Sequence, residues 1–227
     1  NAPKYAKYAT ELCEGVTSEM EKAKIIYDFV KDSIKWNGYN STFRSSIVQD
    51  IYKEREGNSA DLGILLMQML RAVDIISHPV AICTRENGYI IKSYPLVDYL
   101  DNTIIYTKID GKKFLLDPTD RHRPFGMLDE NNLNGEGLLV NVLTRTYEWV
   151  SLENAVESNT VYFANMTLSE DGNISGKITI GETGYIATNN RIKIDEGSKE
   201  EYTKAVFNSL LPEANLKSSE VKNIDNL

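Results

Sequence analysis

Glu56-Gly57-Asn58-Ser59-Ala60-Asp61-Leu62 is the stretch that decides how this chain is read, because polar residues give way here to a long apolar stripe. From Ser59 onward, Leu62, Leu65, Leu66, Met69, Leu70 and Val73 trace one broad face at helical spacing, which predicts a buried or half-buried helix with Ser59 in its first turn. The unpaired N–H groups and dipole at such an end stabilise negative charge and lower the pKa of a thiol placed there. A serine gains far less, since its hydroxyl keeps its proton unless a base within hydrogen-bond reach removes it during attack. On these grounds Ser59 reads first as an N-cap and only second as a nucleophile.

Upstream of this helix, Thr17 or Ser18 followed by Glu21 forms a helix start, and Ala23, Ile26, Tyr27, Val30 and Ile34 recur behind it, with an end expected near Trp36-Asn37-Gly38. A polar loop over 39–46 and a short helix over 47–53 complete this half. Downstream the period changes to that of strands: Val80 to Thr84, Thr103 to Ile109 and Lys113 to Asp117, with Asp110-Gly111 as a tight hairpin turn, and a further strand within Leu138 to Trp149. Helices followed by mainly antiparallel strands indicate an α+β architecture.

Past Trp149 the composition shifts, with Asn154-Ala155-Val156-Glu157-Ser158 as a linker. Val161–Leu168 and Ile174–Ile180 alternate about Glu170-Asp171-Gly172-Asn173 as a second hairpin, and a helix over Ser198–Leu211 stops at Pro212. The division expected is one domain over 1–153 and the start of a β-rich domain over 154–227, and the ends at Asn1 and Leu227 read as those of a fragment.

A net charge of -8 argues against nucleic acid and against purely electrostatic attachment to anionic lipid. No run approaches the roughly 20 apolar residues of a membrane span. Two cysteines, Cys13 and Cys83, are too few for a disulfide framework or a zinc site, and both are expected to be buried and inert; neither a metal nor a cofactor is expected.

The order of separated blocks carries a resemblance over about 23–128. Gly57-Asn58-Ser59-Ala60-Asp61, Leu65-Leu66, Met69-Leu70-Arg71-Ala72, Pro79-Val80 and Asp110-Gly111-Lys112-Lys113-Phe114-Leu115-Leu116-Asp117-Pro118-Thr119 together resemble the transglutaminase-like superfamily. Pro124-Phe125-Gly126-Met127-Leu128 and Leu133-Asn134-Gly135-Glu136-Gly137 are similar to a branch common in Bacteroidetes, in which this domain lies between domains of unknown function. The resemblance implies a papain-like core of helices packed on an antiparallel sheet, with a Cys at a helix N-terminus as nucleophile, a His on a facing strand as base and an Asp that orients the His. It also implies a periplasmic or cell-surface location.

Laid on this sequence, the resemblance puts Ser59 at the Cys position, Asn102 at the His position and Asp117 at the orienting acid. An amide cannot accept and return a proton near neutral pH, so Ser59 has no base. Loss of both groups makes natural degeneration a simpler account than an engineered Cys→Ser change. Of the two histidines, His78 falls in the connection from helix to strand, away from the site, and His122 is read as a surface-loop residue between two arginines. Trp36, Tyr94 and Tyr99 are candidates to line the remaining groove, together with Tyr39.

These readings describe a degenerate domain that serves as a binding or scaffold module of the bacterial cell envelope, its former cleft holding a peptide, a glycan or a protein segment. The alternative is a residual hydrolase or acyltransferase that uses Ser59, with His122 or a residue of a missing segment as base.

Overall fold

The computed structural model describes residues 2–92, 97–153 and 156–224, and the chain divides into two units, Asn1–Asn154 and Ala155–Leu227. In the first unit, α1 (Lys4–Leu12) is followed by α2 (Glu19–Ser33), which starts where the sequence predicts. The Ser18 hydroxyl accepts from the Glu21 N–H, and Ala23, Ile26, Tyr27 and Val30 are buried on one face. A two-residue strand, β1 (Lys35–Trp36), leaves α2. After α3 (Val48–Glu54), Arg55 takes a left-handed conformation that turns the chain into β2 (Glu56–Gly57). β1 and β2 pair in parallel, with Trp36 opposite Gly57, which puts the indole beside the start of α4 (Ser59–Ala72).

Five antiparallel strands follow: β3 (Ser77–Ile82), β4 (Asn102–Ile109), β5 (Lys112–Leu116), β6 (Glu136–Asn141) and β7 (Thr146–Ser151). They lie in the order β5-β4-β3-β6-β7. The β4–β5 turn is the predicted one, with Asp110 at φ 50° and Gly111 at φ 78°, the pair of positive angles that a two-residue hairpin turn demands.

Side chains that alternate along β4 serve two cores. Ile105 and Ile109 join Leu116 and the buried faces of α1, α2, α3 and α4, including Leu62, Leu65, Leu66, Met69 and Leu70. Ile104 joins Val80, Ile82, Leu115, Leu128, Leu139 and Leu152 in a second cluster. The unit is therefore α+β, with helix α4 laid against β3 and β4.

Several boundaries differ from the sequence reading. The expected strand within 138–149 is two strands, β6 and β7, joined by a turn in which Asn141 Oδ1 accepts from the Leu143 and Thr144 N–H groups and Arg145 takes φ 59°. No glycine or proline marks that turn, and Asn141 was its one signal in the residue types. β3 begins at Ser77, so His78 sits within a strand, opposite Tyr106, and not in a connection. The end of α2 at Ser33 precedes the expected one because Trp36 is claimed by β1.

In the second unit, β8 (Thr160–Leu168) and β9 (Ile174–Glu182) form the expected hairpin, and α6 (Lys199–Leu210) is capped by the Ser198 hydroxyl. Between them lies α5 (Gly184–Glu196), which the sequence reading missed: its β-branched and Asn residues are poor helix formers. Part of the expected linker, Asn154-Ala155, lies outside the described residues. Among the described residues no helix is long and apolar enough to cross a membrane.

Candidate functional site

The start of α4 is fixed by a reciprocal pair of hydrogen bonds, and Ser59 is not part of it. Asn58 Oδ1 accepts from the Asp61 N–H at 2.8 Å, and Asp61 Oδ2 accepts from the Asn58 N–H at 3.0 Å. Asn58 is thus the N-cap, which corrects the expectation that Ser59 fills that role. Ser59 is the first helical residue, where a side chain no longer faces the orphan amides of its own helix. Gly57 leaves room for this box: a Cβ there would stand 2.6 Å from Asp61 Cβ.

Freed from capping, the Ser59 hydroxyl turns to the 37–46 segment. It accepts from the Ser41 N–H at 2.9 Å and points back at the Ser41 carbonyl, 3.4 Å away. The Ser59 backbone N–H donates to the Tyr39 carbonyl at 3.1 Å, and the Trp36 indole N–H donates to the same oxygen at 3.0 Å. Two donors, one of them at a helix N-terminus, converge on one carbonyl, the arrangement that stabilises a carbonyl or oxyanion elsewhere in protein chemistry. Here its occupant is the chain itself, and Ser59 is 1% exposed.

One turn along the same face of α4, Gly63 meets β4: a Cβ at that position would lie 3.2 Å from the Thr103 carbonyl oxygen. This close approach brings the helix start to the first residues of β4. Thr103 Oγ1 donates to the Thr42 carbonyl at 2.9 Å, so the strand grips the 37–46 segment from its other side.

Asn102, next to Thr103, has its side chain on the Ile104 side of the strand by alternation. Its Oδ1 accepts from the Thr103 N–H at 2.8 Å, and its Nδ2 donates to Asn132 Oδ1 at 3.0 Å. Asn132 Nδ2 donates in turn to Asp117 Oδ2 at 2.6 Å, while Asp117 Oδ1 accepts from Thr119 Oγ1 at 2.7 Å and from the Thr119 N–H at 3.1 Å. A backbone N–H at one end and a carboxylate at the other fix the polarity of both amides, so every donor points toward Asp117.

Asn102, Asn132 and Asp117 are all buried. Burial pushes the Asp117 carboxyl above its ordinary range, opposed by the nearby Arg123 charge and by the Thr119 hydrogen bonds. Arg123 shapes the segment that presents Asn132, since its Nη2 bonds both Asp120 at 2.9 Å and Asp129 at 2.6 Å. Tyr27 adds a clasp from α2, its hydroxyl donating to the Asp117 and Arg123 carbonyls.

Of the predicted positions, the structure therefore links Asn102 to Asp117 through Asn132, and ties Ser59 to the 37–46 segment. No hydrogen bond joins Ser59 to Asn102 among the described residues. Asn132 escaped the sequence reading because, of the two adjacent Asn in Glu130-Asn131-Asn132, no pattern separates the one that faces inward from its neighbour. Trp36 is half-buried, and its indole packs on the helical core. Tyr39 and Tyr99 are exposed, and Tyr94 lies outside the described residues. His78 is buried on β3 with Nδ1 3.4 Å from Arg71 Nη2; burial and that guanidinium both lower its pKa. The His122 N–H donates to Asp120 Oδ1, and the Ser59 hydroxyl bonds to the Ser41 backbone and not to an imidazole. Among the described residues no three His, Cys, Asp or Glu side chains gather to hold a metal ion.

Residues 6–109, which include the start of α4 and the whole of β4, match the family model of the transglutaminase-like superfamily. These residues belong to that superfamily. The chain has structural neighbours of low identity. One is a proposed protease from Parabacteroides distasonis, with 17% identity, a TM-score of 0.47, and coverage of 66% of this chain and 28% of that one. Another is a proposed cysteine protease from Cytophaga hutchinsonii, with 15% identity, a TM-score of 0.41, and coverage of 80% and 51%. The chain thus spans about a quarter and about half of the length of these two structures. No curated protein matches it significantly.

Proposed function

We propose that the transglutaminase-like unit is a non-catalytic module, retained for binding or as a scaffold of the bacterial cell envelope. The observation that carries this reading is the state of the base position. Asn102 spends its amide on Asn132 and its carbonyl on the Thr103 N–H, and it offers no group that can accept a proton from Ser59. The nucleophile position supports the same reading, because the Ser59 hydroxyl is engaged by the Ser41 backbone. Asp117, which the superfamily resemblance casts as the orienter of an imidazole, has an Asn amide in front of it instead.

The residues that the resemblance extends past 109 and the expected domain over 1–153 belong to the same proposal. So does the cell-envelope location, which rests on similarity to the Bacteroidetes branch. A peptide, a glycan or a segment of a neighbouring protein is the class of partner such a former acyl-transfer cleft suits.

Incubation of the protein with a fluorophosphonate, read by intact mass, tests the proposal. The expected result is no adduct. An adduct that disappears in Ser59→Ala would replace this reading with that of a serine hydrolase or acyltransferase.

A further inference from the structure

The segment between β1 and α3 does more than connect them. Its carbonyl groups at Tyr39, Ser41, Thr42 and Phe43 are addressed, one after another, by donors from the walls of the former site. Trp36 Nε1 and the Ser59 N–H take Tyr39, Ser59 Oγ faces Ser41, Thr103 Oγ1 takes Thr42, and Asn58 Nδ2 takes Phe43 at 3.2 Å. Further along, Ser45 Oγ donates to Asp61 Oδ2 at 2.6 Å and the Ser45 N–H to Asp61 Oδ1 at 2.8 Å. The Thr42 hydroxyl donates to the Leu100 carbonyl, which closes the contact to the segment before β4.

The side chains of this segment contribute little to the hold. Tyr39, Phe43 and Ile47 are 71%, 69% and 58% exposed, whereas the Ser59 beneath is almost wholly covered. A segment held by its backbone, with its large apolar side chains turned to solvent, is not anchored by hydrophobic burial. Its attachment is a set of hydrogen bonds, those over Tyr39 to Phe43 neutral and each of small net value because water can replace it, with the stronger pair to Asp61 at its far end. Such a segment opens at a lower cost than the apolar core of α4 below it.

We infer that residues 37–46 are a strap that fills the carbonyl position at the start of α4, so that the former cleft is closed by its own chain and opens by release of this strap. Release frees the Trp36 indole N–H and the Ser59 N–H together, because both bond the same oxygen. The strap goes beyond the non-catalytic reading but rests on treating this cleft as the vestigial site. The two fail separately: a fluorophosphonate adduct overturns the non-catalytic reading, whereas strap closure is read from access to position 59 whatever the chemistry.

The experiment places a thiol under the strap with Ser59→Cys and follows native alkylation by iodoacetamide, with the parent protein reporting any reaction at the buried Cys13 and Cys83. The same substitution is made with the tethers removed, as Trp36→Phe, Thr42→Val and Thr103→Val. Alkylation at least about tenfold slower under the intact strap than in the untethered background is expected. Equal rates in two proteins with equally cooperative thermal unfolding would overturn the strap. Where the untethered protein does not fold, amide exchange in the unsubstituted protein decides. Joint protection of the Ser41 and Ser59 amides, lost in one opening before those of Leu65 and Leu66, supports the strap, and an unprotected Ser41 amide overturns it.

Discussion

The side-chain amide of Asn132 donates to Asp117 Oδ2 across 2.6 Å, deep enough that both residues are closed to solvent. Asn132 also accepts from Asn102, so it is the middle of three buried side chains and the one through which the other two communicate.

Removing the middle is therefore expected to cost more than an ordinary surface change. Asn132→Ala strands a carboxylate oxygen and the Asn102 amide together, and a loss of about 2–4 kcal/mol is expected. Asn131→Ala, one residue earlier and with its side chain accepting from the Glu86 N–H near the surface, should cost about 1 kcal/mol or less. Urea denaturation of both variants checks the contrast; similar midpoints would mean that the buried amide adds nothing special.

A pH signature follows from the burial of Asp117. Its carboxyl is raised above the ordinary value of about 3.9, so the folded state keeps the proton where the unfolded chain has released it. Stability from this group is full below that ordinary value and falls as pH rises through the raised one. Asp117→Asn cannot titrate, and it also sets two amide donors face to face, a penalty that does not vary with pH. The stability of the parent minus that of the variant should decline from about pH 4 upward, measured by urea unfolding across the range. A difference independent of pH would contradict the buried, raised carboxyl.

His78 gives the opposite slope. Burial first, and the Arg71 guanidinium second, lower its pKa, so the folded protein holds a neutral ring. The unfolded chain takes up a proton below about 6.5, so the stability contributed by His78 is present above that value and lost as pH falls through the lowered one. His78→Gln should flatten this acid limb. An unchanged profile between the parent and the variant would place the acid sensitivity elsewhere.

The cap of α4 separates three adjacent residues. Asn58→Ala removes the acceptor for the Asp61 N–H and should cost about 1 kcal/mol, more than Ser59→Ala, which gives up only the contact to the strap. Gly57→Ala drives a methyl toward Asp61 Cβ and should cost about 1–3 kcal/mol. Thermal melts that ranked Ser59→Ala as the most damaging would restore it as the cap.

Local periodicity made α2, α4, β4, β5 and the β8–β9 hairpin legible, because each carries its own apolar spacing and its own start or turn signal. The two-strand reading of 136–151 was hidden by a turn built on Asn141 without glycine, and α5 by residues with low helix propensity. At the site, the resemblance singled out Ser59, Asn102 and Asp117 as expectations, but not the partners that hold them. Nothing in Glu130-Asn131-Asn132 marks which Asn faces inward, and nothing in 37–46 marks a backbone gripped from both sides. Those facts depend on contacts between segments that are 15 to 30 residues apart or more.

The uniform direction of the donors from Thr103 to Asp117 also makes position 102 selective about what can stand there. A replacement must offer an acceptor to the Thr103 N–H and a donor to Asn132 at once, and one that lacks either leaves a buried polar group unpaired at that end. The constraint therefore falls on charged and apolar side chains alike, as a filter set by the sense of two hydrogen bonds and not by the space available.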